Sequence, residues 1–364
     1  MEGKAILSKL TPYQQGKQLQ EIKETYGLER IVKLASNENP YGFSANVADF
    51  FKKDLHELNM YPDGYTKELR TILAAELNID ERQLIFGSGS EEIVQMICRA
   101  FLYPGTNTVM AVPTFPQYKH NALIEGAEVK EVPLRDGKHD LDQMLEEINE
   151  DTKVVWLCSP NNPSGTAIPK EELLSFLKKC PAHVLIVLDE AYYEYMEDDP
   201  KAVEWSSSYD NLIILRTFSK AYGLAGLRIG YGISNPDILQ KIDVVRGPFN
   251  TTSIAQKAAI IALKDHDFIE KTKTKNKNVK DKFEQFLDRI GWGYYPSQTN
   301  FLLVSTPLSG FKIFDYLLEK GFIVRPGELL GYPNTIRLTI GKQEDMHELE
   351  NILLTFHQNH SKEI

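Results

Sequence analysis

"HVLIVLDE" occupies His183 to Glu190. A run of apolar residues, Val184 to Leu188, ends abruptly in two carboxylates, Asp189 and Glu190. A short run rich in Val, Ile and Leu, without polar alternation, reads as a strand covered on both faces. An ionised carboxylate at its end is costly unless a cationic group accompanies it. The stretch therefore points to a buried parallel sheet and to a place where charge is used.

Similar runs lie on either side. "KVVWLCSP" (153–160) precedes it and "NLIILRT" (211–217) follows, with "QLIFG" (83–87) and "NTVMAVP" (107–113) further upstream. Between them stand amphipathic stretches, "SEEIVQMICRAF" (90–101), "TFPQYKHNALIEG" (114–126) and "KEELLSFLKKC" (170–180). Short buried strands alternating with helices imply βαβ units and a mainly parallel α/β sheet. Ligands of such sheets sit beyond the carboxyl ends of the strands. The C-terminal part mixes strand-like "TNFLLVS", "GFIVRPG" and "TIRLTIG" with helical "FKIFDYLLEK" and "EDMHELENILLTFHQ". It predicts a smaller α+β domain.

Bulk properties narrow the classes. At 42% hydrophobic and 25% charged residues, the 364-residue chain has soluble globular composition. A net charge of −10 argues against nucleic acid or an anionic membrane as partner, and leaves room for a local cationic pocket. Cys98, Cys158 and Cys180 show no metal-binding spacing and read as buried free thiols in a reducing compartment. The N-terminal "MEGKAILSKLTPYQQGK" has too short an apolar core for a signal peptide, and no run is long enough to span a membrane. The expected location is cytoplasmic. The basic run "KTKTKNKNVKDKFEQF" (271–286) reads as the solvated face of a long helix.

The residues after each strand carry the functional reading. "GSGSEE" (87–92) opens a helix whose free N–H groups suit an anion such as phosphate, with Ser90 as an ordinary N-cap being the plain alternative. Phe115, in a Pro-flanked turn, either packs in the core or covers a flat ring. "SPNNPSG" (159–165) is a tight turn in which Asn162 either holds the loop or donates its amide to a ligand. Asp189 either caps a helix or meets a cation, and Tyr192 presents a phenol nearby. Lys220, after "LIILRTFS", is a solvated lysine if read alone; crowded by its surroundings it becomes a nucleophilic amine. Arg228 follows across a glycine-rich stretch and suits a phosphate. Taken together, an amine, a carboxylate, a phenol, an amide, an aromatic plate and an anion cradle are the set that pyridoxal 5′-phosphate requires.

"SPNNPSG", "DEAYYEY" and "RTFSKAYGLAGLRIGYG" make the chain resemble the fold-type I pyridoxal-phosphate aminotransferases. Within them it is most similar to the histidinol-phosphate aminotransferase branch, through "LTPYQQGK", "IVKLASNENPYG", "MYPDGYTKELR", "GSGSEEIVQMICRAF", "FIVRPG" and "TIRLTIG". The resemblance implies a seven-stranded, mainly parallel sheet flanked by helices in a large domain, 36–258. An N-terminal arm, 1–35, would join a small α+β domain, 259–364. It implies that Lys220 carries the cofactor and shuttles the proton. Asp189 would pair with the ring nitrogen, Tyr192 and Asn162 would hold the ring hydroxyl, and Phe115 would stack on the ring. Gly89, Ser90, Glu91, Thr217, Ser219 and Arg228 would hold the phosphate, with Thr217 and Ser219 both open as the main hydroxyl donor.

For substrates the resemblance implies Arg337, binding the amino-acid carboxylate or the substrate phosphate. Arg325 and Tyr13 would bind the phosphate of histidinol phosphate, with surface or packing roles as the plain alternative. Asn37 would lie near the substrate entrance. Tyr61 would reach the cofactor phosphate of a second subunit in a homodimer with composite sites. The implied reaction is transamination between L-histidinol phosphate and 2-oxoglutarate. The alternative is an aromatic amino-acid aminotransferase or a phospho-amino-acid decarboxylase on the same scaffold. A DNA-binding regulator finds no support in an acidic chain with little sequence ahead of "SNENPYG". A nucleotide-binding loop is disfavoured because "GSGSEE" has neither common glycine spacing.

Overall fold

The fold is that of a computed structural model, which describes residues 3–10, 19–53 and 58–360. Its strands are β1 (Val32–Lys33), β2 (Leu84–Gly87), β3 (Asn107–Val112), β4 (Glu128–Pro133), β5 (Thr152–Cys158), β6 (Leu185–Asp189), β7 (Leu212–Thr217), β8 (Gly230–Ser234), β9 (Phe301–Ser305), β10 (Phe322–Ile323), β11 (Arg325–Pro326) and β12 (Thr335–Thr339). Seven of them form one sheet in the order β2-β8-β7-β6-β5-β3-β4. β8 pairs antiparallel with both neighbours, and the remaining pairings are parallel.

The "HVLIVLDE" run becomes β6, in the middle of that order. Every residue of β6 and β7 is buried, which explains their lack of polar alternation. One face of the sheet packs on helices 170–179 and 253–263 through Phe176, Leu173, Ala255 and Ala258. The other packs on helices 90–101 and 117–125 through Ile93, Ile97, Tyr118 and Ala122.

Two strands of this sheet had no clear signal in the sequence. β4 lies at the edge, largely exposed, and its charged residues break the apolar run. β8 carries Gly230, where a side chain would collide with backbone, and Gly232, where one would be tight against Ile85 and Leu215. A Cβ on Gly230 would lie 2.4 Å from the Ser90 backbone nitrogen. The glycine lets an antiparallel strand slide against the start of helix 90–101.

A separate core surrounds the antiparallel sheet β11-β12-β9. Phe283 and Leu287 of helix 266–290 meet Leu302, Ile336, Leu338 and Leu349 there. β1 joins this part by parallel pairing with β10, Val32 opposite Phe322, which brings Leu34 into the same core. The expected division after residue 258 falls inside the helix Ser253–Leu263, whose last turn still packs on the large-sheet core through Ile260 and Leu263. The basic run does form part of the long helix His266–Ile290, capped by Asp265 and stopped at Gly291. Lys280 departs from its solvated face: it is buried and donates to the Ser297 carbonyl at 2.7 Å. The three cysteines are free and buried. Among the described residues no helix is long and apolar enough to cross a membrane.

Candidate active site

The site lies past the carboxyl ends of β5, β6 and β7. Asp189 is the last residue of β6, paired with Leu215 of β7. Its carboxylate is buried and accepts from the Tyr118 hydroxyl at 2.6 Å and from the Ala191 backbone N–H at 3.1 Å. Burial pushes the Asp189 carboxyl up, while these two donors and the Lys220 charge pull it back. Tyr118 is fully buried and stacks on Trp156 with ring centroids 4.6 Å apart. Sequence reasoning missed Tyr118. The signal was its place three residues after Phe115, across the turn that opens helix 117–125, where the two rings meet. Phe115 is half-buried and meets Tyr118 edge-on at 5.4 Å, leaving it beside the Asp189 carboxylate system.

Lys220 follows β7 and approaches the same space. Its half-buried amine donates to the Ser36 carbonyl at 3.3 Å and lies 5.6 Å from the Tyr192 ring centre. Burial, with the Arg337 and Arg228 charges, lowers its pKa to about 8. Tyr192 is buried, and its hydroxyl receives the Asn37 amide at 2.8 Å and the Asn162 amide at 3.5 Å. Burial pushes the Tyr192 phenol up to about 12.

Of the two neighbouring asparagines, Asn161 holds the turn. It accepts from the Thr114 hydroxyl at 2.7 Å and donates to Ser164 at 2.9 Å. Asn162 faces the site, and its carbonyl accepts from Arg337 Nη1 at 2.6 Å. Arg337, on β12, also donates to the Ala35 carbonyl at 2.7 Å. It stands opposite Arg325 of β11 in the antiparallel register, so both arginines lie at one sheet position. Asn37 differs from its expected place at an entrance. It is 1% exposed, adopts φ of 56°, and is fixed by Thr339, Tyr192 and Asn300. A short amide in the left-handed region can be held this way, and here it orients the Tyr192 hydroxyl.

The glycine turn and Arg228 form the third part. Gly89, with φ of 79°, precedes helix 90–101 as its N-cap and supplies no side-chain cap. Ser90 is thus the first helical residue rather than the cap. A Cβ on Gly89 would sit 2.6 Å from Arg228 Nη2, so only glycine lets the guanidinium lie over the turn. Arg228 itself holds φ of 54° and donates to the Ser219 hydroxyl at 3.3 Å and the Ser88 carbonyl at 3.4 Å. Glu91 presents a carboxylate 3.7 Å from Arg228, besides its backbone N–H. Thr217 Oγ1 is occupied: it accepts from the Ser219 N–H at 3.1 Å and donates to the Ile229 carbonyl at 3.5 Å. Ser219 carries its hydroxyl beside Arg228.

Tyr61 stands apart from this cluster. It is 82% exposed and stacks on Phe249, with ring centroids 4.7 Å apart. Tyr13 lies outside the described residues.

A family model described as aminotransferase class I and II matches residues 29–353. The chain belongs to that family. It is 58% identical to a histidinol-phosphate aminotransferase 2 of Oceanobacillus iheyensis, over 98% of this chain and 99% of that protein. It is 53% identical to the histidinol-phosphate aminotransferase of Bacillus subtilis strain 168, over 97% and 99% of the two chains. A histidinol-phosphate aminotransferase from Sinorhizobium meliloti, solved in complex with pyridoxal-5′-phosphate, superposes with a TM-score of 0.89 at 27% identity, over 98% of each chain. The class I and II fold thus places the amine, the buried carboxylate and the glycine turn on three strand ends of one sheet.

Proposed function

We propose that the protein is a pyridoxal-phosphate-dependent histidinol-phosphate aminotransferase. It would exchange an amino group between L-histidinol phosphate and 2-oxoglutarate, giving imidazole acetol phosphate and L-glutamate. The observation that carries the reading is the Lys220 amine and the buried Asp189 carboxylate brought together at the ends of adjoining strands, in a chain similar to such enzymes over nearly its full length.

The residues present fit the cofactor. A carboxylate pushed up by burial gains from a protonated ring nitrogen beside it, which is the role assigned to Asp189. The uncapped helix start at Ser90, the space kept open by Gly89, and Arg228 with Ser219 make a cradle for a phosphate dianion. Tyr192 and Asn162 would hold the ring hydroxyl, and Phe115 would cover the ring. Thr217 would support the cradle through the turn it folds, leaving Ser219 as the main hydroxyl donor. Bound there, the cofactor supplies an electrophilic carbon and an electron-withdrawing ring.

The chain's own groups then do the following. At a pKa of about 8, a useful fraction of Lys220 is neutral near pH 7, so the amine can act as nucleophile and can take and return the substrate α-proton. Tyr118 and Ala191 keep Asp189 oriented and ionised. Arg337 and Arg325 would bind the anionic end of each substrate. The same pair can serve a carboxylate and a phosphate because both are anions that accept from guanidinium forks.

A homodimer belongs to this reading. Met60, Tyr61, Tyr65, Val244 and Phe249 expose apolar surface on neighbouring segments, joined by the Tyr61–Phe249 stack. Such a patch calls for a partner surface, and a second copy would place Tyr61 at the other copy's phosphate cradle. The proposed division of the chain is a large domain up to Leu263 and a small one after it, with the segment around β1 added to the small one. The cytoplasm is the proposed location, in keeping with three free thiols.

The test is a donor and acceptor screen with the purified protein and added cofactor. Faster turnover of histidinol phosphate than of phenylalanine or tyrosine is expected, with Lys220→Ala inactive. Absence of turnover with histidinol phosphate overturns the reading, and release of carbon dioxide from a phospho-amino acid would redirect it to decarboxylation.

A further inference from the structure

Arg216 reaches three segments of the site without touching its reacting groups. It stands on β7 directly before Thr217 and is 3% exposed. Its Nε and Nη2 both approach Glu190 Oε2 at 2.8 Å. Its guanidinium carbon lies over the Tyr193 ring, 3.4 Å from the centre. Glu190 is the residue after Asp189, and Tyr193 is the residue after Tyr192. One arginine thus grips the immediate neighbours of two site residues, from the strand that leads to a third, Lys220.

The backbone does not do this work there. The β6–β7 ladder ends at the Asp189–Leu215 pair, followed by one bond from the Glu190 N–H to the Leu215 carbonyl at 2.8 Å. Past that point β6 runs into the helical turn Tyr193–Tyr195, and β7 runs into the turn that carries Ser219 and Lys220. The side-chain pair bridges the strand ends where the ladder has stopped.

Stability alone does not explain a charge pair in this place. Apolar side chains of similar volume hold a core at least as well as a buried ion pair, whose desolvation offsets its attraction. Here Glu190 Oε1 has no hydrogen-bond partner among the described residues, so the pair is not optimised as a stabilising contact. What an arginine offers over leucine is direction: two N–H groups toward one carboxylate and a flat face toward one ring.

We propose that Arg216, with Glu190 and Tyr193, is a positioning residue that fixes the relative placement of Asp189, Tyr192 and Lys220. The inference rests on reading Lys220 and Asp189 as the reacting pair. Two variants of the holoenzyme test it: Arg216→Lys, which keeps the charge but loses the fork, and the double variant Glu190→Leu with Arg216→Met, which removes both charges of the pair together, so that the buried Glu194 carboxyl loses one cationic and one anionic neighbour at once. The readouts are the pH midpoint of the cofactor's visible absorbance, kcat and KM for the amino donor, and thermal melting. The expected result is a midpoint displaced by about half a pH unit or more. With it, kcat falls about tenfold or more while KM changes less than about threefold. The double variant should melt within about 3 °C of the parent. Folded variants with the parent's midpoint and kcat overturn the proposal, as does a kcat that falls only in step with the folded fraction. Arg216→Lys decides the matter if the double variant does not fold. The two levels fail separately: an active Lys220→Ala enzyme would sink the site reading, whereas inert Arg216 variants with an essential Lys220 would sink the clamp alone.

Discussion

Replacing Tyr118 by Phe removes one oxygen from the centre of the molecule and nothing else. The ring keeps its stack on Trp156 at 4.6 Å and its edge contact with Phe115 at 5.4 Å. What is lost is the 2.6 Å donation to Asp189 Oδ2, together with the hydroxyl's contact with the Cys158 thiol. Both partners are buried, so no water replaces it without rearrangement. A hydrogen bond to a charged group contributes about 1.5–3 kcal/mol in such surroundings. The Asp189 carboxyl, already raised by burial, should move further up and hold a proton more of the time. A protonated carboxyl no longer offsets a charged ring nitrogen. Cofactor affinity should therefore fall roughly ten- to a hundredfold, by the same free energy. The assay is titration of cofactor-free Tyr118→Phe with pyridoxal phosphate, followed by absorbance, beside a thermal melt. Cofactor affinity within twofold of the parent, in a variant that folds normally, would refute the argument that Tyr118 keeps Asp189 ionised.

Gly89→Ala should weaken cofactor binding by about tenfold or more, since the methyl would displace Arg228 and occupy a left-handed backbone position; equilibrium dialysis would show it. Ser219→Ala and Thr217→Val should separate. The first is expected to lower cofactor affinity by about 1 kcal/mol with little change in melting, the second chiefly to lower the melting temperature of the cofactor-free protein. His139 is buried with neither ring nitrogen hydrogen-bonded among the described residues, and burial lowers its pKa to about 4. The folded protein therefore resists the proton that the unfolded chain accepts below its ordinary histidine pKa. Stability is complete above that value and is lost as pH falls through it toward the folded pKa, by on the order of 2 kcal/mol at pH 4.5. Urea unfolding of parent and His139→Leu at pH 7 and pH 4.5 should show the variant losing less, and equal losses would refute the assignment.

The sheet was legible wherever strands are buried on both faces. β3, β5, β6 and β7 declare themselves by unbroken apolar runs, because nothing polar can be left between two layers of helices. β4 and β8 did not: one alternates charges at an edge, and the other carries Gly230, whose reason is the approach of Ser90. Within the site, Lys220, Asp189 and Asn162 stood out as polar groups at apolar strand ends. Tyr118 was hidden because an aromatic in an amphipathic helix looks the same whether it packs or donates. Arg216 was hidden for the converse reason, as a charge inside a strand whose partner, Glu190, lies just past the end of another. Asn37 shows a limit of another kind: its motif was visible, but its burial behind Tyr192 depends on β12, far along the chain.

The pairing of β1 with β10 has a consequence for biosynthesis. Val32 is synthesised long before Phe322 and waits for it before it has a strand partner. The seven-stranded sheet has no such delay, since its strands all lie between Leu84 and Ser234. Domains fold as units while the chain emerges, and contacts distant in sequence form late. Gly89, Asp189, Ser219, Lys220 and Arg228 are therefore in place on the nascent chain before Arg325 and Arg337 are translated. The proposed cofactor cradle can mature, and gain stability from its ligand, while the protein is still unable to hold a substrate.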